Sequence, residues 1–266
     1  MSLVEDERIE VPQPKPELQH EALASGARVD RVIGVVSGKG GVGKSFVSSM
    51  LAVEAQRAGK NCAILDADVT GPSIPKCFGL SGYVEAQGEM IIPKKSKSGI
   101  QVVSTNFFLE DETEPVIWRG PILSSTVKQF WGETLWDNVE LMIVDMPPGT
   151  GDVPLTVFQS LPIDGIVIVT SPQDLVSMVV KKALNMAAQM DVPVLGIVEN
   201  MASFTCPDCG KTHAIFGEGK AAEIAEAYQI QNVVSLPIDP AIARLADEGR
   251  IEEYASPQLA SLIQVL

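Results

Sequence analysis

Val32-Ile33-Gly34-Val35-Val36-Ser37-Gly38-Lys39-Gly40-Gly41-Val42-Gly43-Lys44-Ser45 joins an apolar run, a glycine-rich turn and the start of a helical pattern. The run 32–36 is short and continuous, as expected of a strand buried on both faces of a parallel sheet. The glycines let successive backbone N–H groups converge on phosphate oxygens, and a helix opening at Lys44 adds a favourable dipole. Lys44 is then placed to reach the β- and γ-phosphates, and the Ser45 hydroxyl to ligate Mg²⁺. A glycine-rich turn matching by accident would lack the strand before it and the helix after it. The context predicts ATP binding by Gly38, Lys39, Gly40, Gly41, Val42, Gly43, Lys44 and Ser45.

Outward from this loop the alternation repeats. Apolar runs at 62–65, 141–144, 166–169, 194–198 and 233–236 read as further buried strands. Lys44–Arg57, 123–136, 175–189 and 219–228 read as helices. Strand alternating with helix implies crossover connections and a doubly wound, mostly parallel α/β sheet flanked by helices. Segments 90–93 and 100–104, joined through Lys94-Lys95-Ser96-Lys97, are expected to add a hairpin with a solvated basic tip. Residues 1–28 are polar and show no sustained period, so they are expected to form a mobile arm ahead of one ATPase domain over 29–266.

Composition narrows the function classes. The 266 residues carry a formal net charge of −14. Phosphate-backbone binding needs clustered Lys and Arg, so no nucleic-acid partner is expected. No apolar run approaches the roughly 18 residues of a membrane span. The acidic, proline-bearing start is neither a secretory signal nor an Arg-rich transit peptide. A cytoplasmic protein without stable membrane association is expected.

Two strand ends carry acids. The run 141–144 ends at Asp145, followed by Met146-Pro147-Pro148-Gly149-Thr150-Gly151-Asp152. A carboxylate leaving a buried strand beside a phosphate loop suits the hydration shell of Mg²⁺, and the Gly-rich segment can move with the γ-phosphate. The run 62–65 ends at Asp66-Ala67-Asp68. Taken alone, such a pair is ordinary turn chemistry. In this architecture Asp68 can orient the attacking water and Asp66 can hold a magnesium water.

Lys39 is unexplained by a plain phosphate loop, which has no requirement for lysine there. Lys-Gly-Gly-Val-Gly-Lys-Ser resembles the deviant Walker A group, the MinD/ParA/nitrogenase-iron-protein class. That resemblance implies that Lys39 crosses a nucleotide-sandwiched dimer to the partner's phosphates, acting like an arginine finger. Longer motifs sharpen it: Asp66-Ala67-Asp68-Val69-Thr70-Gly71-Pro72-Ser73, Val116-Ile117-Trp118-Arg119-Gly120-Pro121, the 145–152 segment, and Val198-Glu199-Asn200-Met201 followed by Cys206-Pro207-Asp208-Cys209. Over about 32–254 these resemble the Mrp/ApbC family of iron–sulfur cluster carriers. The resemblance implies ATP hydrolysis, a homodimer, and a [4Fe–4S] cluster bridging two protomers through Cys206 and Cys209 of each. It also implies delivery to apoproteins, adenine contacts from Asn200 and Pro237, and a structured loop at Trp118 and Arg119. Two departures stand out. The N-terminal stretch is too short for the separate small domain that many members carry. Phe46 replaces a usual Thr whose hydroxyl helps bind the α-phosphate, a loss of ~1 kcal/mol.

From the residues alone, the Cys206–Cys209 pair could equally be half a zinc site, a redox pair or a tight turn. Soft thiolates suit iron–sulfur clusters, and a four-thiolate shell can be completed across a dimer axis. Cys62, in an expected buried strand, and Cys77 read as packing residues. A zinc-clamped regulatory ATPase dimer is therefore a second reading. A MinD/ParA-like positioning switch is a third; it needs a basic amphipathic terminal helix, and 251–266 contains no Lys or Arg.

Overall fold

The structure is a computed structural model that describes residues 20–68, 71, 73–109, 120–149, 151–173 and 176–266. Its first half contains β1 (Val32–Ser37), α1 (Lys44–Arg57), β2 (Cys62–Asp66), α2 (Ile74–Phe78), β3 (Glu85–Gln87), β4 (Met90–Ile92), β5 (Lys94–Lys95), β6 (Gln101–Val103) and α3 (Gly120–Gly132). There follow β7 (Leu141–Asp145), α4 (Asp152–Ser160), β8 (Gly165–Thr170), α5 (Val176–Gln189), β9 (Val194–Thr205), β10 (Thr212–His213), α6 (Ala221–Ala227), β11 (Val233–Ile238), α7 (Pro240–Asp247) and α8 (Pro257–Leu262).

The main sheet runs β10-β9-β8-β1-β7-β2-β6-β5, with β11 also paired to β9. Its central pairings are all parallel, and the short strands β5 and β10 attach antiparallel at its ends. β1 shows why the apolar runs are continuous: all six of its residues are buried. Val32 and Val36 join the core on one face with Trp136 and Phe158, while Ile33 and Val35 join the other with Met50 and Leu51. The register sets Val35 opposite Asp145, and Asp145 opposite Asp66. The carboxyl ends of β1, β7 and β2 therefore meet at one edge, where open α/β sheets place ligands.

Several expected elements are differently bounded. α3 stops at Gly132 because the chain then pairs with the β4 segment: the Ile91 N–H donates to the Glu133 carbonyl and the Leu135 N–H to the Ile91 carbonyl. The expected basic-tipped hairpin divides in two, with β4 pairing β3 and β5 pairing β6. Its tip is only partly solvated, since Ser96 is buried and Lys94 lies 5.3 Å above the Phe107 ring. β9 continues well past 198, with its last residues half-exposed or exposed.

Of the segment set apart as an arm, residues 20–28 are packed on the domain. The Glu21 carbonyl accepts the Trp131 indole N–H at 2.8 Å, the Glu21 N–H reaches the Ser160 carbonyl, and Ala24 is buried. The remainder, 1–19, lies outside the described residues. At the other end Leu259, Leu262 and Leu266 are buried in the core face that holds α1, each leucine gaining roughly 1.5–3 kcal/mol. The buried Glu54 of α1 accepts the Ser256 N–H, which fixes the start of α8. Ile251, Leu259, Leu262, Ile263 and Leu266 of segment 251–266 are thus turned into the core. Among the described residues no helix is long and apolar enough to cross a membrane.

Candidate functional site

The loop between β1 and α1 is shaped by its glycines. Gly41 and Gly43 adopt φ of 83° and 86°, a region that side chains rarely enter. At Gly43 a Cβ would also lie 2.2 Å from the Asn200 amide nitrogen. Above Gly40 and Gly41 a Cβ would meet nothing within 4 Å, so this backbone faces an open cavity of about 370 Å³. Lys39, exposed, lies on its wall.

Lys44 is 6% exposed, with its ammonium 2.8 Å from Asp145 Oδ1 and 3.5 Å from Asp68 Oδ2. These carboxylates compensate its charge, yet neither contact has hydrogen-bond geometry. A buried ammonium with donors to spare, beside a cradle of backbone N–H groups, fits a polyphosphate.

The acids divide by depth. Asp145 is fully buried; it accepts the Ser45 and Ser48 hydroxyls, each at 2.6 Å. Asp66, also fully buried, accepts the Ser104 hydroxyl at 2.9 Å. Burial, and then the neighbouring Asp145, holds its carboxyl well above the usual range. Asp68 lies on the cavity wall with Pro148 and Cys77. Cys77 packs against the core from that wall, and burial pushes its thiol up to about 11. Trp118, Arg119 and Thr150 lie outside the described residues.

A second, largely apolar cavity of about 420 Å³ adjoins the first, sharing Gly43 and Phe46. Asn200 and Pro237, the two residues expected to contact adenine, both line it, together with Met201, Phe216, Ile242 and Ala246. The Asn200 amide donates to the Val42 carbonyl at 2.9 Å, tying β9 to the phosphate loop. Glu199, passed over in the sequence, is buried and accepts the Ala221 N–H, holding the start of α6. Its signal was an acid closing an apolar strand run.

At the end of β9 the chain turns through Cys206-Pro207-Asp208-Cys209 into β10. The Cys206 N–H donates to the Lys211 carbonyl, the Gly210 N–H to the Cys206 carbonyl, and Gly210 takes φ 70°. Backbone N–H groups of Cys209 and Asp208 aimed at the Cys206 sulfur lower its thiol below the ordinary value. Cys206 is half-exposed and Cys209 exposed. Two soft donors with N–H support for thiolate charge suit a metal or cluster. Among the described residues no group of three or more metal-binding side chains forms. Cys62 is buried in β2, its thiol pushed up to about 12 mainly by desolvation.

A parallel sheet with this loop after its first strand, and a carboxylate from β7 beside it, defines a P-loop nucleoside-triphosphatase fold. The chain belongs to the family described as ParA: NUBPL iron-transfer P-loop NTPase, which matches residues 28–265. It is 46% identical over 223 residues to the iron–sulfur cluster carrier protein of Aquifex aeolicus, spanning 83% of this chain and 61% of that longer protein. The carrier protein of Clostridium perfringens is 43% identical over 244 residues, 88% of this chain and 86% of that one. A solved nucleotide-binding protein from Archaeoglobus fulgidus, in complex with ADP and with cobalt, superposes with TM-score 0.79 at 45% identity, covering 87% of this chain and 90% of that one. The MinD cell-division ATPase of Pyrococcus furiosus shares the fold, at TM-score 0.62 and 18% identity, covering 88% and 97%.

Proposed function

We propose that this protein binds and hydrolyses Mg·ATP and carries an iron–sulfur cluster, in the cytoplasm, for transfer to apoproteins. The observation that carries the reading is β9, which sets Asn200 at the apolar cavity and, a few residues on, ends in the open Cys206–Cys209 turn. The relatives' names as iron–sulfur cluster carriers supply the cargo.

In this reading the backbone of Gly40–Lys44 and the Lys44 ammonium bind the phosphates, and the apolar cavity takes adenine against Pro237 and Asn200. One Asn200 amide N–H is committed to the Val42 carbonyl, which leaves the second N–H and Oδ1 to meet the base. Ser45 and Asp145 would hold Mg²⁺, which supplies charge neutralisation at the β- and γ-phosphates. Asp66, paired with Asp145 across β2 and β7, would hold a water of the magnesium shell, with burial opposing its charge until the ion is bound. Asp68, on the wall, orients the attacking water and accepts its proton. Lys39 serves the partner's phosphates in a homodimer. The same dimer brings together two Cys206–Cys209 pairs, completing a four-thiolate shell around the [4Fe–4S] cargo.

A single tetrahedral ion on the two pairs, the zinc-clamp reading, is the second reading, since four thiolates also suit zinc. Metal and acid-labile sulfide analysis after anaerobic purification separates them. The carrier reading expects iron and sulfide in equal amounts, about two of each per chain. Stoichiometric zinc without sulfide would establish the clamp instead.

A further inference from the structure

Phe46 follows Ser45 in the first turn of α1. Judged from sequence, it is a loss, since it lacks the hydroxyl that assists the α-phosphate. The structure gives it a different occupation. Its half-buried side chain and Gly43 are the two wall elements common to the apolar cavity and the phosphate cavity. A nucleotide with its phosphates on the loop and its base in the apolar cavity must lead its sugar past this junction.

We infer that Phe46 is a nucleoside-recognition residue, its ring forming the surface against which the ribose and base of the bound nucleotide pack. The inference rests on the nucleotide-binding reading above and adds to it a determinant of selectivity. The ring is held in place from behind. It meets the Tyr254 ring edge-on, with centroids 6.4 Å apart and planes at 67°. The Tyr254 hydroxyl donates to Asp239 Oδ2 at 3.1 Å, while Asp239 Oδ1 caps α7 by accepting the Ala241 N–H at 2.8 Å. α7 in turn presents Ile242 and Ala246 to the same cavity. Ring, tyrosine, cap and helix thus form one packed side of the base cavity.

A ring ordered before the ligand arrives gives up little conformational freedom on binding, so its contact area converts efficiently into affinity. Threonine at this position would offer a hydroxyl to phosphate but would remove the wall between the two cavities. Aromatic packing of this kind outweighs one solvent-competed hydroxyl bond.

Calorimetric titration of ADP and of inorganic pyrophosphate into wild type, Phe46→Thr and Phe46→Leu tests the inference, with thermal unfolding confirming that each variant is folded. Phe46→Thr should lower ADP affinity about fivefold or more, leave pyrophosphate affinity within about twofold, and be largely rescued in Phe46→Leu. ADP affinity that rises or holds steady in Phe46→Thr overturns the inference. So does an equal loss for ADP and pyrophosphate, which would place the damage in the loop itself. A wild-type protein that binds neither ligand would instead remove the nucleotide-binding reading, and this inference with it.

Discussion

Lys44 is 6% exposed and set between two carboxylates, whereas Cys209 lies exposed on a turn that offers two thiols and, among the described residues, no third metal-binding side chain. The phosphate loop has its glycines, lysine, serine and supporting acids within one chain, locked by β1, β7 and α1. The cysteine turn, in the proposed carrier half a coordination shell, is carried outward on the end of β9. In the proposed reading one chain's groups suffice to bind the nucleotide, whereas a half-shell has chemistry only when a second half-shell faces it. In the proposed carrier the fixed site therefore handles the nucleotide and the open site handles the cargo.

If the two regions are separable in this way, damage to one should spare the other. Lys44→Ala removes the charge that meets the phosphates, and ADP affinity should fall by about a hundredfold or more in calorimetry. The variant should unfold at lower temperature, because Asp145 loses its compensating charge, yet still take up iron and sulfide. Near-normal ADP affinity would end the phosphate-loop assignment.

Asp68→Asn should bind ADP within about threefold of wild type while phosphate release slows roughly a hundredfold, as expected on loss of a water-orienting base. Unchanged turnover would transfer that role to another group. Alkylation of the metal-free protein near neutral pH draws the contrast differently. Cys206, with its thiol lowered, holds more reactive thiolate there than Cys62 and Cys77, which stay protonated far above neutrality. Mass spectrometry should find Cys206 modified at least about tenfold faster than Cys62; equal rates would mean that the turn is less open than described. Lys39→Ala acts on association more than on affinity. It should leave ADP binding by the monomer within about threefold, while ATP no longer promotes dimerisation in light scattering. A large loss of ADP binding with dimerisation intact would place Lys39 in its own chain's site.

The complete site was the legible one. β1 and the loop could be read because burial on both faces forces an unbroken apolar run and because the turn is spelled in glycines. The incomplete site was only half legible. The Cys-x-x-C spacing was plain, but β9 carries it on residues beyond 200 that are half-exposed or exposed, where the apolar pattern that marks a buried strand gives out. The base cavity was hard to see for another reason. Phe46, Phe216 and Ile242 come from α1, the loop after β10 and α7, and only the folded chain brings them to one wall. From sequence, Phe46 shows only a missing hydroxyl; its place on the walls of both cavities needs the fold. Residues 20–28 looked like an arm because one backbone carbonyl on an indole and one small buried alanine leave no periodic trace.

The central claim is that Cys206 and Cys209, two from each chain, hold the cargo without taking part in nucleotide binding. Anaerobic reconstitution of Cys206→Ala and Cys209→Ala, followed by iron, sulfide and ADP-affinity measurements on the same samples, addresses it directly. Each variant should lose its iron and acid-labile sulfide while binding ADP within about twofold of wild type, because two thiolates cannot complete a cluster shell. Full retention of iron and sulfide by either variant would contradict the account.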